Sequence, residues 1–63
     1  MKRTFLITDR LNIYEVTVHG ITILRILKIY NDSGLEREVC FANLPEDVQE
    51  QVLGKIRNDD EET

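Results

Sequence analysis

The strongest constraint on this chain is a pair of turn signals that divides an apolar-rich stretch, residues 4–42, into strand-length segments. His19 and Gly20 stand between two runs rich in β-branched residues, and glycine supplies the positive φ that two-residue hairpin loops need. Residues 31–34 have the composition of a type I turn followed by a left-handed glycine. The sequence therefore predicts an antiparallel meander.

The second loop allows two registers for the strands that it joins. A three-residue loop with a bulge places Lys28 opposite Glu38, whereas a two-residue loop places Lys28 opposite Arg37. Because like charges directly opposed across two strands are unfavourable, the bulged register is the predicted one. It also sets Leu27 against Val39.

The registers sort the side chains of the meander onto two faces. The same registers place Arg25 opposite Tyr14 and Phe41, so its guanidinium is expected to stack over the two rings. Alternation along each strand predicts one apolar face as the core. The predicted core comprises Phe5, Ile7, Tyr14, Val16, Val18, Ile21, Ile23, Leu27, Ile29, Leu35, Val39 and Phe41.

One helix is predicted after the meander, beginning near Pro45, because proline presets φ for a first helical turn. Val48, Val52 and Ile56, with Leu53 beside them, form an apolar stripe that can lie across the sheet. Gly54 is expected to let the helix approach a strand closely. The predicted fold class is α+β, a four-stranded antiparallel β-meander with one C-terminal α-helix packed on one face, as a single domain at residues 1–57.

The opposite face of the predicted sheet carries a second, smaller apolar patch with charged residues at its rim. Contiguous exposed apolar surface is typical of a contact with another protein. A chain of 63 residues has little core of its own, so we expect this face to be buried in a homodimer or against a protein partner. The predicted interface comprises Leu6, Ile13, Leu24, Ile26, Lys28, Glu38 and Cys40.

Charge and composition narrow the setting in which the chain is expected to act. Twelve acidic residues against eight basic ones give a formal charge of −4, and the acidic run at residues 58–63 is expected to be a disordered tail. The lone Cys40 excludes a disulfide framework within the chain and indicates a reducing compartment. No apolar run approaches the ~20 residues of a membrane span, so a cytoplasmic location is expected.

No residue pattern in the sequence indicates catalysis, a cofactor or a metal site. His19 is the only histidine, and Cys40 has Glu38 close by in sequence, which disfavours a reactive thiolate. We therefore expect a non-enzymatic regulator or inhibitor that acts by protein–protein interaction, similar in size and charge to small phage-encoded inhibitors. The alternative is a nucleic-acid-binding protein that uses a basic rim of Lys2, Arg3, Arg25 and Arg37.

Overall fold

The computed structural model describes the backbone of residues 1–62 and the side chains of residues 1–58. The predicted α+β fold, four antiparallel strands followed by one C-terminal helix, is confirmed. Of the acidic tail predicted at residues 58–63, all residues after Asn58 lie outside the fully described part of the chain. The disorder of this tail stays a prediction. The elements are β1 (Lys2–Thr8), β2 (Asn12–His19), β3 (Thr22–Tyr30), β4 (Glu36–Val39), a short 3-10 helix (Phe41–Asn43) and α1 (Glu46–Glu62), and the sheet order is β1-β2-β3-β4.

The first hairpin, formed by β1 and β2, keeps one register along its whole length. Phe5 faces Val16 and Ile7 faces Tyr14, so these four side chains share the face that the sequence predicts for them. Strands with an unbroken register keep strict alternation, and alternation is the pattern that a sequence displays most directly. This part of the sheet was therefore predictable.

The loop between β2 and β3 is shifted by one residue from the prediction. It consists of Gly20 and Ile21, not of His19 and Gly20, because His19 belongs to β2. Gly20 has φ +63°, as the first position of a type II′ turn requires. Val18 consequently faces Ile23, and Ile21 lies on the loop with 72% of its surface exposed.

A β-bulge in β3 changes the faces of all later residues in that strand. Thr17 and Val18 of β2 are adjacent, but their partners on β3 are separated by one extra residue, Leu24. An inserted residue moves every following side chain to the other side of the sheet. Arg25 therefore faces Thr17 on the side away from the helix, and its predicted stacking over two aromatic rings is wrong.

The loop between β3 and β4 contains four residues, 31–34, rather than three. The N–H of Gly34 donates to the carbonyl of Tyr30 at 2.7 Å, and the N–H of Tyr30 donates to the carbonyl of Leu35 at 2.9 Å. Gly34 has φ +73°, so its predicted left-handed conformation is confirmed. The loop is one residue longer than predicted, and this difference shifts the register of β4.

In the observed register Lys28 faces Arg37, so the predicted pairing of Lys28 with Glu38 is wrong. The same register places Ile26, 2% exposed, opposite Val39. Ile26 reaches the core through its pairing with Val16, and the register of β4 adds Val39 beside it, partly buried against the core. Burial of apolar surface contributes about 25 cal/mol per Å², whereas a cross-strand pair of charges contributes about 0.2–1 kcal/mol, so the contact of Val39 with the core offsets the repulsion between the two cations.

The core lies between the sheet and α1. Four predicted members, Ile21, Leu27, Ile29 and Leu35, are not part of it. Ile21 lies on the shifted first loop, Leu27 and Ile29 turn to the other face after the bulge, and Leu35 precedes β4 and is 67% exposed. Predicted members Phe5, Ile23, Val39 and Phe41 are partly buried at its border. The buried core consists of Ile7, Tyr14, Val16, Val18, Ile26, Leu44, Val48, Val52 and Ile56.

The helix buries the stripe that the sequence predicts. Val48 and Val52 are fully buried and Ile56 is 6% exposed, whereas Leu53 is 42% exposed on the outer side. Among the described residues, no helix is both long and apolar enough to span a bilayer. A Cβ at Gly54 meets no atom within 4 Å, so the predicted close approach of the helix to a strand at this residue is wrong.

Gln49 ties the first turns of α1 to the segment before it. Its Nε2 donates to the carbonyl oxygens of Phe41 at 3.0 Å, Leu44 at 3.2 Å and Ala42 at 3.5 Å. These carbonyls belong to an irregular connection that offers them few other partners. Gln49 therefore fixes the path along which buried Leu44 enters the core.

Glycine substitutions test the loop geometry. Gly34→Val should lower the free energy of unfolding by more than about 1 kcal/mol, because a β-branched residue is strained at φ +73°. Gly54→Ala should raise it by up to about 1 kcal/mol, since that position is helical and open. Urea titration of both variants measures the two effects, and a neutral Gly34→Val would contradict the left-handed assignment.

Alanine substitutions test the packing of the helix. Val52→Ala should destabilise by roughly 1–4 kcal/mol through lost burial and a cavity. Gln49→Ala should cost about 1 kcal/mol through lost hydrogen bonds, and exposed Gln51→Ala is the near-neutral control. Equal effects at Val52 and Gln51 in thermal unfolding would contradict the packing described here.

Candidate protein-binding surface

The sheet face opposite α1, hereafter the open face, carries no other element among the described residues. Its side chains form four cross-strand rows, because directly paired residues point to the same side of a sheet. The rows are Lys2, His19 and Thr22; Thr4, Thr17 and Arg25; Leu6, Glu15, Leu27 and Glu38; and Thr8, Ile13, Ile29 and Glu36.

Four aliphatic residues on the open face form a contiguous group, hereafter the apolar patch: Leu6, Ile13, Leu27 and Ile29. Ile13 and Ile29 are directly paired, and Leu27 lies in the next row. Leu6 is 56% exposed and the other three are half-buried by their neighbours. Contiguous aliphatic side chains on an uncovered face are typical of a contact surface.

The patch contains only part of the predicted interface. Leu6, Ile13 and Glu38 lie on the open face, as the sequence predicts. Ile26 does not, because the bulge turns it into the core. Lys28 is also on the helix side, where its Nζ lies 4.9 Å from the centroid of the Tyr30 ring and it lines a groove of about 510 Å³.

Leu24 and Cys40 lie at the border of the sheet. Leu24 is the extra residue of the bulge and is 52% exposed, and the exposed Cys40 follows the last residue of β4. Both line a groove of about 270 Å³ that also includes Glu38. Three predicted interface residues are thus brought together, but beside the apolar patch rather than within it.

Leu27 and Ile29 are the patch residues that sequence reasoning missed. The available signal was Arg25, which an unbroken alternation would place in the core. A charged residue is almost never fully buried unless it is paired, so its position indicated an irregularity nearby. The order Ile23-Leu24-Arg25-Ile26-Leu27 has two adjacent apolar residues on each side of the arginine, and one inserted residue accommodates this pattern.

Carboxylates border the apolar patch. Glu15, Glu36 and Glu38 lie in the same two rows as the apolar residues, whereas the cations Lys2 and Arg25 lie in the other two rows. The hydroxyl oxygens of Thr4 and Thr17 are 3.2 Å apart and satisfy each other. The apolar patch therefore has an acidic border, and the cations of the open face lie nearer the β2–β3 loop.

The cations of the predicted basic rim do not form one surface. Lys2 and Arg25 lie on the open face, whereas Arg37 is on the helix side opposite Lys28. Arg3 is also on the helix side, with its guanidinium 5.3 Å from the centroid of the Phe5 ring and an Nη2–H that donates to the Lys55 carbonyl at 3.2 Å. The separation of these cations weakens the case for binding to a phosphate backbone.

A pair of neighbouring substitutions tests which face each residue occupies. Ile26→Glu should destabilise by roughly 3–5 kcal/mol, because it buries an unpaired carboxylate in the core. Leu27→Glu, one residue later on the open face, should cost no more than about 1 kcal/mol. The free energy of unfolding of each variant measures this, and the reverse order would contradict the bulge at Leu24.

Comparison with known proteins gives no information about the function of this chain. The open face, its patch and its acidic border are therefore the basis for a functional proposal. The chain matches no protein-family model, and no curated protein or solved structure matches it significantly.

Proposed function

We propose that this chain is a non-enzymatic protein-binding module that regulates or inhibits a partner protein through its open face. The observation that carries the proposal is the apolar patch on a sheet face that α1 does not cover. An apolar centre with a polar rim is the usual anatomy of a protein interface. Burying the patch would contribute about 25 cal/mol per Å² of apolar surface.

The acidic border specifies the partner further. A surface that complements the open face has an apolar centre with lysine or arginine side chains around it, because Glu15, Glu36 and Glu38 need cations opposite them. Two copies stacked with their apolar patches together would instead bring the carboxylates around each patch close to one another. We therefore assign the open face to a basic partner protein, and not to the face-to-face homodimer expected from the sequence.

The exposed thiol of Cys40 supports a reducing setting for this function. In an oxidising compartment an exposed free cysteine is prone to form disulfides with other molecules. We therefore place the action of the module in the cytosol. No cofactor is part of the proposal.

Capture from a cell lysate with matched bait variants tests the proposal. Wild type and Ile21→Lys should recover the same protein from a lysate treated with nuclease, whereas Leu27→Lys should lose most of it. Ile21 is an exposed aliphatic residue on a loop, so its substitution controls for the added charge. Thermal unfolding of the three baits confirms that each is folded.

Two outcomes would overturn the proposal. Equal recovery with Leu27→Lys and wild type would mean that the open face is not the contact surface. Recovery that disappears after nuclease treatment, together with a salt-sensitive gel shift on nucleic acid, would favour the nucleic-acid alternative. As a further measurement, Glu38→Lys should slow association with the purified partner at low salt and have less effect at high salt.

A further inference from the structure

The two edges of the sheet are protected very differently. The edge strand β4 has four residues, of which Glu36, Arg37 and Glu38 are charged, and short charged strands resist pairing with other chains. The other edge strand, β1, has seven residues and carries no charge, proline or bulge from Thr4 to Thr8. An edge of this kind is a template for pairing with another strand.

The backbone of β1 shows which groups face outward. Asp9 and Asn12 exchange hydrogen bonds at 2.9 and 3.3 Å, so Asp9 directs its N–H and carbonyl toward β2. Residues alternate in this respect along an antiparallel strand. The N–H and carbonyl groups of Thr4, Leu6 and Thr8 therefore point away from β2, where no strand among the described residues pairs with them.

We propose that β1 pairs antiparallel with β1 of a second copy, with Leu6 of both copies on the two-fold axis. This goes beyond the proposed function, because the second copy would bind through the edge of β1 and not through the open face. A two-fold axis between antiparallel strands is perpendicular to the sheet, so both helices lie on the same side. The two four-stranded sheets then form one continuous sheet across the dimer.

The side chains favour the register centred on Leu6. Phe5 then faces Ile7 of the second copy, and Thr4 faces its Thr8, so each pair consists of two apolar or two β-branched polar side chains. Asp9 of the second copy lies opposite Arg3 on the helix side, which is charge-complementary. A register centred on Phe5 would instead set Arg3 against an isoleucine.

This arrangement also extends the open face. Leu6 is the most exposed member of the apolar patch, at 56%, and it lies on the strand that forms the edge. Pairing through β1 brings the two copies of Leu6 together and joins the two patches across the axis. The acidic border formed by Glu15, Glu36 and Glu38 remains available to a basic partner on each side.

Disulfide trapping tests the register. In a Cys40→Ser background, Leu6→Cys should give a disulfide-linked dimer on mild oxidation, because directly paired residues have Cα atoms about 5.5 Å apart and disulfides span about 4.4–6.8 Å. Thr8→Cys is the matched control on the same strand and face, and its two copies would be about 14 Å apart. Equal trapping at both positions would overturn the register.

Sedimentation of untreated protein tests the dimer itself. Wild type should sediment as a dimer at micromolar concentration, and Thr4→Ala should match it. Thr4→Pro should shift the population to monomer, since proline removes an outward N–H while the ladder with β2 stays intact. Circular dichroism checks that Thr4→Pro is folded. If Thr4→Pro does not fold, Thr8→Pro is used instead, because it also removes an outward N–H.

Different outcomes would overturn the pairing through β1 and the binding of a basic protein by the open face. A monomeric wild type, or a dimer that survives both proline substitutions, would overturn pairing through β1 and leave binding by the open face untouched. Leu27→Lys should remain dimeric even though it loses the basic partner, because Leu27 lies on β3, away from the β1 edge. Loss of the dimer in Leu27→Lys would point to face-to-face association and overturn the β1 pairing.

Discussion

Burial of Ile26 beneath α1 is the interaction on which the rest of the structure depends. Its side chain is 2% exposed and lies between Val16 of β2 and Val39 of β4. An extra residue in β3, at Leu24, makes this position possible, and the four-residue loop before β4 brings Val39 to the same side. The register that brings Val39 there also opposes Lys28 and Arg37, and the aliphatic contact offsets their repulsion.

The same displacement creates the surface to which we assign a function. When Ile26 enters the core, its neighbour Leu27 turns to the open face and joins Leu6, and Ile29 joins Ile13. Arg25 also lies on the open face, and not on the helix side where unbroken alternation would place it. A core requirement and a candidate contact surface are therefore two results of one insertion in β3, and a change that removed the bulge would alter both.

The two proposed interactions use separate parts of one sheet. The open face has carboxylates around its aliphatic residues, which disfavours contact with a copy of itself and favours a basic partner. The outer edge of β1 has backbone groups with which no strand of the described residues pairs, and no charge between Thr4 and Thr8, which favours contact with an identical strand. A small domain gains stability from such pairing, because its own core is limited.

The sequence by itself determined the order of elements, the unbroken hairpin of β1 and β2, the left-handed Gly34 and the stripe of Val48, Val52 and Ile56. Each of these depends on residues close in sequence or on a simple period. Only the tertiary structure decided the bulge at Leu24, the length of the last hairpin loop and hence the faces of residues 24–39. Those features result from competition between strand registers. The outcome depends on how much apolar surface each register buries beneath the helix, and the propensities of residues close in sequence do not predict that buried area.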